Sequence, residues 1–257
     1  MGTLSALSGW QWIKQGFALF RRQPAEMSTL FVFYVLLTGL LSLIPLVGPI
    51  LRFILVPAFS MAFMQACADI EQDKRVTPKV LFAGFRGPAF KSLAILGVLY
   101  LLAALLALAA TMLVDGGTFW EAINSQGTPD QKTVEDSSLV LSTLFAVMTY
   151  LSISLLLWFA PPLISWQNMG VGKAIFFSFF TVLRAIKAFF VYLFAWMTIG
   201  MFLMLLLSTI LRLLFDNIET EIFVLLPFAM LIMVVVQCSF YPSYTQLFGA
   251  PQLPEEK

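Results

Sequence analysis

Six long runs of apolar residues, separated by short polar segments, account for most of the chain. They cover roughly residues 27–46, 49–68, 91–113, 138–160, 188–212 and 221–247. Each run has about the 20 residues that an α-helix needs to cross the hydrocarbon core of a bilayer. Because lipid offers the peptide backbone no hydrogen-bond partners, we predict that each run is a membrane-spanning helix. The predicted fold is therefore all-α and polytopic.

A short pattern, Phe-x-x-apolar-Arg, precedes the first, third and fifth runs, at residues 17–21, 82–86 and 180–184. A proline-containing phrase recurs in or after the second run of each pair, at residues 56–59, 161–164 and 241–244. This order predicts three repeated hairpins in a single membrane domain, 1–257, with candidate repeats 8–68, 77–166 and 170–248. Interface anchoring of every helix that enters from the same side is the alternative explanation.

The segments that carry this pattern are amphipathic at helical spacing. We predict that they lie flat on the cytoplasmic leaflet, where basic side chains either recognise anionic headgroups or only anchor the helix. The candidate membrane-interface or lipid contacts are Trp10, Trp12, Lys14, Arg21, Arg22, Arg86, Trp166, Lys173, Arg184 and Lys187.

Composition and charge placement define the compartment. Hydrophobic residues make up 60% of the chain and charged residues 11%, which excludes an ordinary soluble domain. Of the 15 Lys and Arg residues, all but Arg52, Lys132 and Arg212 fall on one side of the predicted spans. The positive-inside rule then places both termini in the cytoplasm. We predict a multi-pass protein of the bacterial inner membrane. Residues 1–9 lack the features of a removable signal peptide.

The residue types needed for chemistry are scarce. The chain has no histidine, its two cysteines lie within apolar runs, and no ionisable residue falls near the middle of a span. We find no phosphate-binding glycine loop or cofactor motif. The sequence therefore predicts no catalytic, cofactor or metal site and no enzyme activity. A net charge of +1 gives no reason to expect nucleic acid as a partner.

The longest polar connector covers residues 115–136 and is rich in turn-forming residues. Its length exceeds what a link between two spans needs. A solvated connector and a partner-binding loop are both consistent with this composition.

Two stretches carry a family resemblance, Gly9-Trp10-Gln11-Trp12 to Arg22 and Trp166 to Lys187. With an aromatic and basic helix before each span pair, the chain resembles the YciC-like inner-membrane proteins and the membrane domain of some glycerophosphodiester phosphodiesterases. The resemblance implies six spans and no settled activity. No phosphodiesterase domain is present, so that activity does not follow.

The spans lack a charged pathway, which favours a non-enzymatic accessory or scaffold protein that organises a membrane complex or the envelope. Its expected partners are membrane lipids and other membrane-protein subunits. The alternative is a protein that handles a lipid or small apolar molecule. That alternative predicts a cavity open to the inner leaflet and lined by Ser60, Gln65, Ser165, Trp166 and Gln246.

Overall fold

A computed structural model describes residues 4–45, 47–116, 137–215 and 217–251. These residues form helices and connecting turns, with no strand among them, so the all-α prediction is confirmed. The predicted outward loop falls almost wholly on residues 117–136, outside the described part. The helices are α1 (Ser8–Arg22), α2 (Pro24–Ser42), α3 (Val47–Glu71), a 3-10 helix (Pro78–Phe82), α4 (Ala83–Arg86), α5 (Phe90–Asp115), α6 (Ser137–Leu156), α7 (Ala160–Trp166), α8 (Val171–Arg184), α9 (Ile186–Leu214) and α10 (Ile218–Phe248).

Within the described residues, six helical segments are long and apolar enough to cross a membrane, with mean hydropathies of 1.6 to 2.7. They are α2, α3, α5, α6 joined to α7, α9 and α10. The predicted number and order of spans are therefore confirmed. The fourth span continues to Trp166, beyond the predicted end of the apolar run at residue 160.

This fourth span is broken at residues 157–159, between α6 and α7. Pro161 and Pro162 have no backbone N–H, so they cannot continue the hydrogen bonds of α6. The fully buried Ser178 of α8 completes the break: its hydroxyl donates to Leu156 O at 2.7 Å and accepts from Phe159 N at 3.0 Å. Non-helical backbone is tolerated at membrane depth because protein groups satisfy it.

Each short helix that links one pair of spans to the next packs against a span of the preceding pair. The 3-10 helix and α4 contact α3 of the pair before them, and α8 contacts α5, α6 and α7 of the pair before it. No pair precedes α1, which packs against α9 and α10, the last pair in the chain. The N-terminal helix therefore closes the bundle onto its C-terminal hairpin.

Close backbone contact makes two of these packings sensitive to residue size. A Cβ atom added at Gly16 of α1 would lie 2.3 Å from Ser239 Cα of α10. At Gly84 of α4, an added Cβ would lie 2.5 Å from Ala58 O of α3. Glycine at these positions lets the short helices touch the span backbones.

Aromatic side chains fill the space where α1, the break in the fourth span and the last hairpin meet. The ring of Trp158 lies 4.8 Å from that of Phe240, and the ring of Trp12 lies 5.2 Å from that of Phe189, both edge to face. This arrangement is favourable for aromatic pairs beyond the area they bury. We call this set the aromatic cluster; its members are Trp12, Trp158, Phe159, Phe189, Tyr192, Phe240, Tyr244 and Phe248.

Replacing Gly16 with alanine should destabilise the protein, because the new methyl group overlaps the α10 backbone. We expect a loss of about 1–3 kcal/mol, the usual cost of overpacking. Thermal unfolding in detergent, followed with a thiol-reactive dye, reports it through exposure of the buried Cys67 and Cys238. Gly39→Ala is the matched control, since no atom lies within 4 Å of its added Cβ. Equal unfolding temperatures for both variants would contradict the close contact.

Candidate functional site

One end of the bundle carries most of the basic residues. It consists of α1, residues 72–89, residues 167–185 and residues 249–251, and we call it the basic end. Its residues lie beside the ends of the spans, where polar and charged side chains can reach water or headgroups.

Several of the predicted interface residues are exposed at the basic end, and three of them lie over aromatic rings one helical turn away. Lys14 Nζ lies 5.8 Å from the ring centre of Trp10, and Lys173 Nζ lies 5.9 Å from that of Phe177. The Arg21 guanidinium lies 6.0 Å from the Phe17 ring. Arg184 and Lys187 are also exposed, whereas the side chain of Arg86 lies outside the described part. Their contact with lipid stays a prediction.

Two predicted interface tryptophans form hydrogen bonds within the protein. Trp12 is 0% exposed and its indole N–H donates to Gln246 Oε1, so it packs in the aromatic cluster and we correct its assignment as a lipid contact. Trp166 is half-buried and donates to Gln65 Oε1 at 3.3 Å. Helical periodicity separates apolar from polar faces, but it does not separate a lipid-facing residue from a protein-facing one.

Three of the five residues predicted to line a cavity open to the inner leaflet are hydrogen-bonded to one another or to neighbours. Gln65 accepts from Trp166 and donates to Asp69 Oδ1 at 2.9 Å, while Gln246 accepts from Trp12. The Ser165 hydroxyl is buried with no hydrogen-bond partner. Beside these groups lies the aromatic cluster, with the ring centre of Tyr244 at 5.0 Å from that of Trp166.

A cleft lies between α1 and α10 at the basic end, with a volume of about 320 Å³. One wall is a stripe of α1 spaced at i, i+3, i+4 and i+7, and the other is one face of α10 near its C-terminal end. The end of α3 contributes the last residue. We call it the α1–α10 cleft; it is lined by Gln15, Ala18, Leu19, Arg22, Glu71, Tyr241, Pro242 and Thr245.

The cleft contains charges of both signs. The hydroxyl of Tyr241 donates to Glu71 Oε2, which fixes the carboxylate at the end of α3. Arg22 stands on the α1 wall with its side chain 55% exposed, and its Nη1 lies 4.0 Å from Asp73 Oδ1, whose side chain is 94% exposed. An ion pair this solvated holds its partners weakly. Arg22 is therefore able to turn toward a ligand in the cleft.

Gln23 holds the loop after α3 beside the end of α1. Its side-chain amide donates to Lys74 O at 2.7 Å and accepts from Val76 N at 2.9 Å. These two bonds satisfy backbone groups of a loop that has no regular structure of its own. Gln23 thereby keeps Glu71 and Asp73 close to Arg22.

Comparison with known proteins identifies the group to which the chain belongs. The chain is 34% identical over 263 residues to a protein of Burkholderia thailandensis named "probable inner membrane protein", and the match covers 98% of this chain and 96% of that protein. The chain belongs to this inner-membrane family. The membrane that its spans cross is therefore the inner membrane. No family model and no solved structure matches the chain.

Sequence reasoning missed most of the cleft in this inner-membrane protein. Arg22 is among the predicted contacts, but Glu71 is not, and Tyr241 falls within a predicted span. The spacing of Gln15 and Arg22 along α1 was a usable signal for one wall. The opposite wall belongs to α10, which is far from α1 along the chain. Trp12 of α1 and Gln246 of α10, which are hydrogen-bonded, are 234 residues apart.

Replacing Gln23 with alanine should release the loop after α3, because Val76 N–H then loses its acceptor. The expected cost is about 1 kcal/mol, near that of one net hydrogen bond. Hydrogen–deuterium exchange should show faster exchange at residues 74–76. Gln11→Ala, an exposed substitution on α1, is the control and should leave that exchange unchanged. Unchanged protection at Val76 in the Gln23 variant would contradict this role.

Proposed function

We propose that this protein is a non-enzymatic accessory or scaffold protein of the inner membrane that holds a membrane complex together through its span surfaces. The observation that carries the proposal is the exposure of α9. Only 6% of its most apolar part is buried, against 17–44% in the other five spans. A span that contributes so little to its own bundle has its surface free for another membrane protein.

The exposed surface of α9 includes a continuous stripe at helical spacing. Its members are 61–73% exposed, and the rings of Phe190 and Phe194 stack at 6.3 Å along the helix. We call it the α9 stripe; it consists of Phe190, Phe194, Met197, Met201 and Leu205. Rigid aromatic rings next to adaptable methionines suit packing against the transmembrane helix of a partner.

The alternative, handling of a lipid or small apolar molecule in a central cavity, has less support. The polar residues expected to line such a cavity are largely hydrogen-bonded to one another or to neighbours. The aromatic cluster occupies the space between α1 and the last hairpin. Affiliation with the YciC-like proteins and the division into three repeats remain predictions.

Cytoplasmic placement of the basic end is the second part of the proposal. It rests on the excess of Lys and Arg in the connectors at that end. In this orientation α1, α4 and α8 face the cytoplasmic leaflet, and both termini lie in the cytoplasm. The α9 stripe would then extend through the bilayer toward the periplasm.

Copurification tests the scaffold role. Mild detergent extraction of the tagged protein from its native host should recover a second membrane protein, and Phe190→Ala with Phe194→Ala should lower that recovery about tenfold. Leu36→Ala with Leu40→Ala on the exposed face of α2 is the matched control and should retain the partner. Recovery of the chain alone under every mild condition would overturn the scaffold role.

Site-directed labelling tests the orientation. Single cysteines introduced at Gln11 of α1 and at Asn217 before α10 should react differently with a membrane-impermeant maleimide applied to intact spheroplasts. Gln11→Cys should react only after permeabilisation, and Asn217→Cys should react at once. The native Cys67 and Cys238 are buried, so they give little background. The reverse pattern would place the basic end in the periplasm.

A further inference from the structure

The α1–α10 cleft combines features that a packed helix junction does not need. It opens beside the amphipathic helix α1, and it has both apolar and polar walls. It also contains the guanidinium of Arg22 and the carboxylate of Glu71, and each of these groups has a different partner. Arg22 is paired with Asp73 and Glu71 with Tyr241. Both charges thus face a shared hollow, which is the arrangement a zwitterionic ligand would fit.

The positive side of the cleft suits a phosphate group. The Arg22 guanidinium presents a planar fork of N–H donors, a geometry that matches phosphate oxygens. Gln15 lies two turns back on the same stripe, so its amide adds an uncharged donor. Thr245 faces it from α10, and its hydroxyl donates to Pro242 O at 3.3 Å. The Arg22–Asp73 contact, at 4.0 Å and largely exposed, costs little to give up.

The negative side selects against a purely anionic ligand. Glu71 is fixed by Tyr241, a phenol that is only 2% exposed, and so the carboxylate stays in place when a ligand enters. A headgroup with a phosphate and no cation would meet this carboxylate without compensation. A headgroup that carries an ammonium group beyond its phosphate would pair with it.

The size and the surroundings of the cleft fit a headgroup rather than a whole lipid. A volume of about 320 Å³ equals roughly ten water molecules at about 30 Å³ each. Ala18, Leu19 and Pro242 make the remaining lining apolar.

We propose that the α1–α10 cleft binds the phosphoethanolamine group of a phospholipid, with the phosphate on Arg22 and the ammonium on Glu71. The site goes beyond the scaffold role and does not depend on it, because the cleft and the α9 stripe lie on different helices. A lipid held there would tie α1 to α10 and to the end of α3.

Native mass spectrometry of the full chain in detergent tests this assignment. Phosphatidylethanolamine and phosphatidylglycerol with the same acyl chains are offered in equal amounts. The wild type should retain phosphatidylethanolamine about threefold more, as expected for one partly solvated ion pair. Glu71→Gln should bring the two lipids to parity, and Arg22→Gln should lower retention of both. Arg21→Gln, whose parent side chain lies over the Phe17 ring, is the control and should match the wild type.

A lipid panel on the wild type keeps the test valid even if a variant fails to fold. Phosphatidylcholine carries a bulkier cation that cannot donate a hydrogen bond to Glu71, so it should bind less well than phosphatidylethanolamine. Equal retention of all three lipids by the wild type would overturn the assignment. Full phosphatidylethanolamine preference in a folded Glu71→Gln variant would overturn it as well.

A last arm separates a lipid from a soluble source of the same group. The protein is incubated with soluble glycerophosphoethanolamine in place of lipid. No adduct on the wild type, together with the lipid preference above, assigns the site to lipid. An adduct that Glu71→Gln loses would assign the same headgroup chemistry to a soluble ligand and overturn the lipid source.

Discussion

The packing of α1 across the last hairpin is the contact on which the rest of the structure depends. Gly16 touches the backbone of α10 at Ser239, and the indole of Trp12 reaches Gln246 from within the aromatic cluster. These contacts join the first and last helices of the described chain. Without them the α1–α10 cleft would have no second wall, and the aromatic cluster would lose its N-terminal member.

Several polar side chains of this protein satisfy backbone groups of another element. Ser178 satisfies the backbone at the break in a span of another hairpin. Gln23 holds the loop after α3, whose Lys74 and Val76 lie 51 and 53 residues farther along the chain. In a bilayer an unsatisfied backbone group costs several kcal/mol, so such pairings specify which elements must meet. Apolar contact alone would not, because lipid competes equally well for an apolar face.

The apolar character of both the lipid and the protein interior determines what could be predicted from sequence. The six spans were predictable because lipid forces long apolar helices, and the short helices were predictable from their period. Trp12 was assigned to lipid because lipid and protein interior are both apolar, so periodicity does not distinguish between them. Glu71 and Tyr241 looked unrelated because their meeting depends on α3 and α10 packing together, over a separation of 170 residues. Tertiary pairing of that kind has no local signature.

Photo-crosslinking tests the docking of α1 on α10 most directly. A benzophenone amino acid placed at Ala18, on the α1 wall of the cleft, is activated in native membranes, and the crosslinked peptides are identified by mass spectrometry. The docked arrangement predicts an adduct within the same chain on the α10 segment that contains Tyr241, Pro242 and Thr245. Adducts on lipid alone, with none on α10, would contradict it.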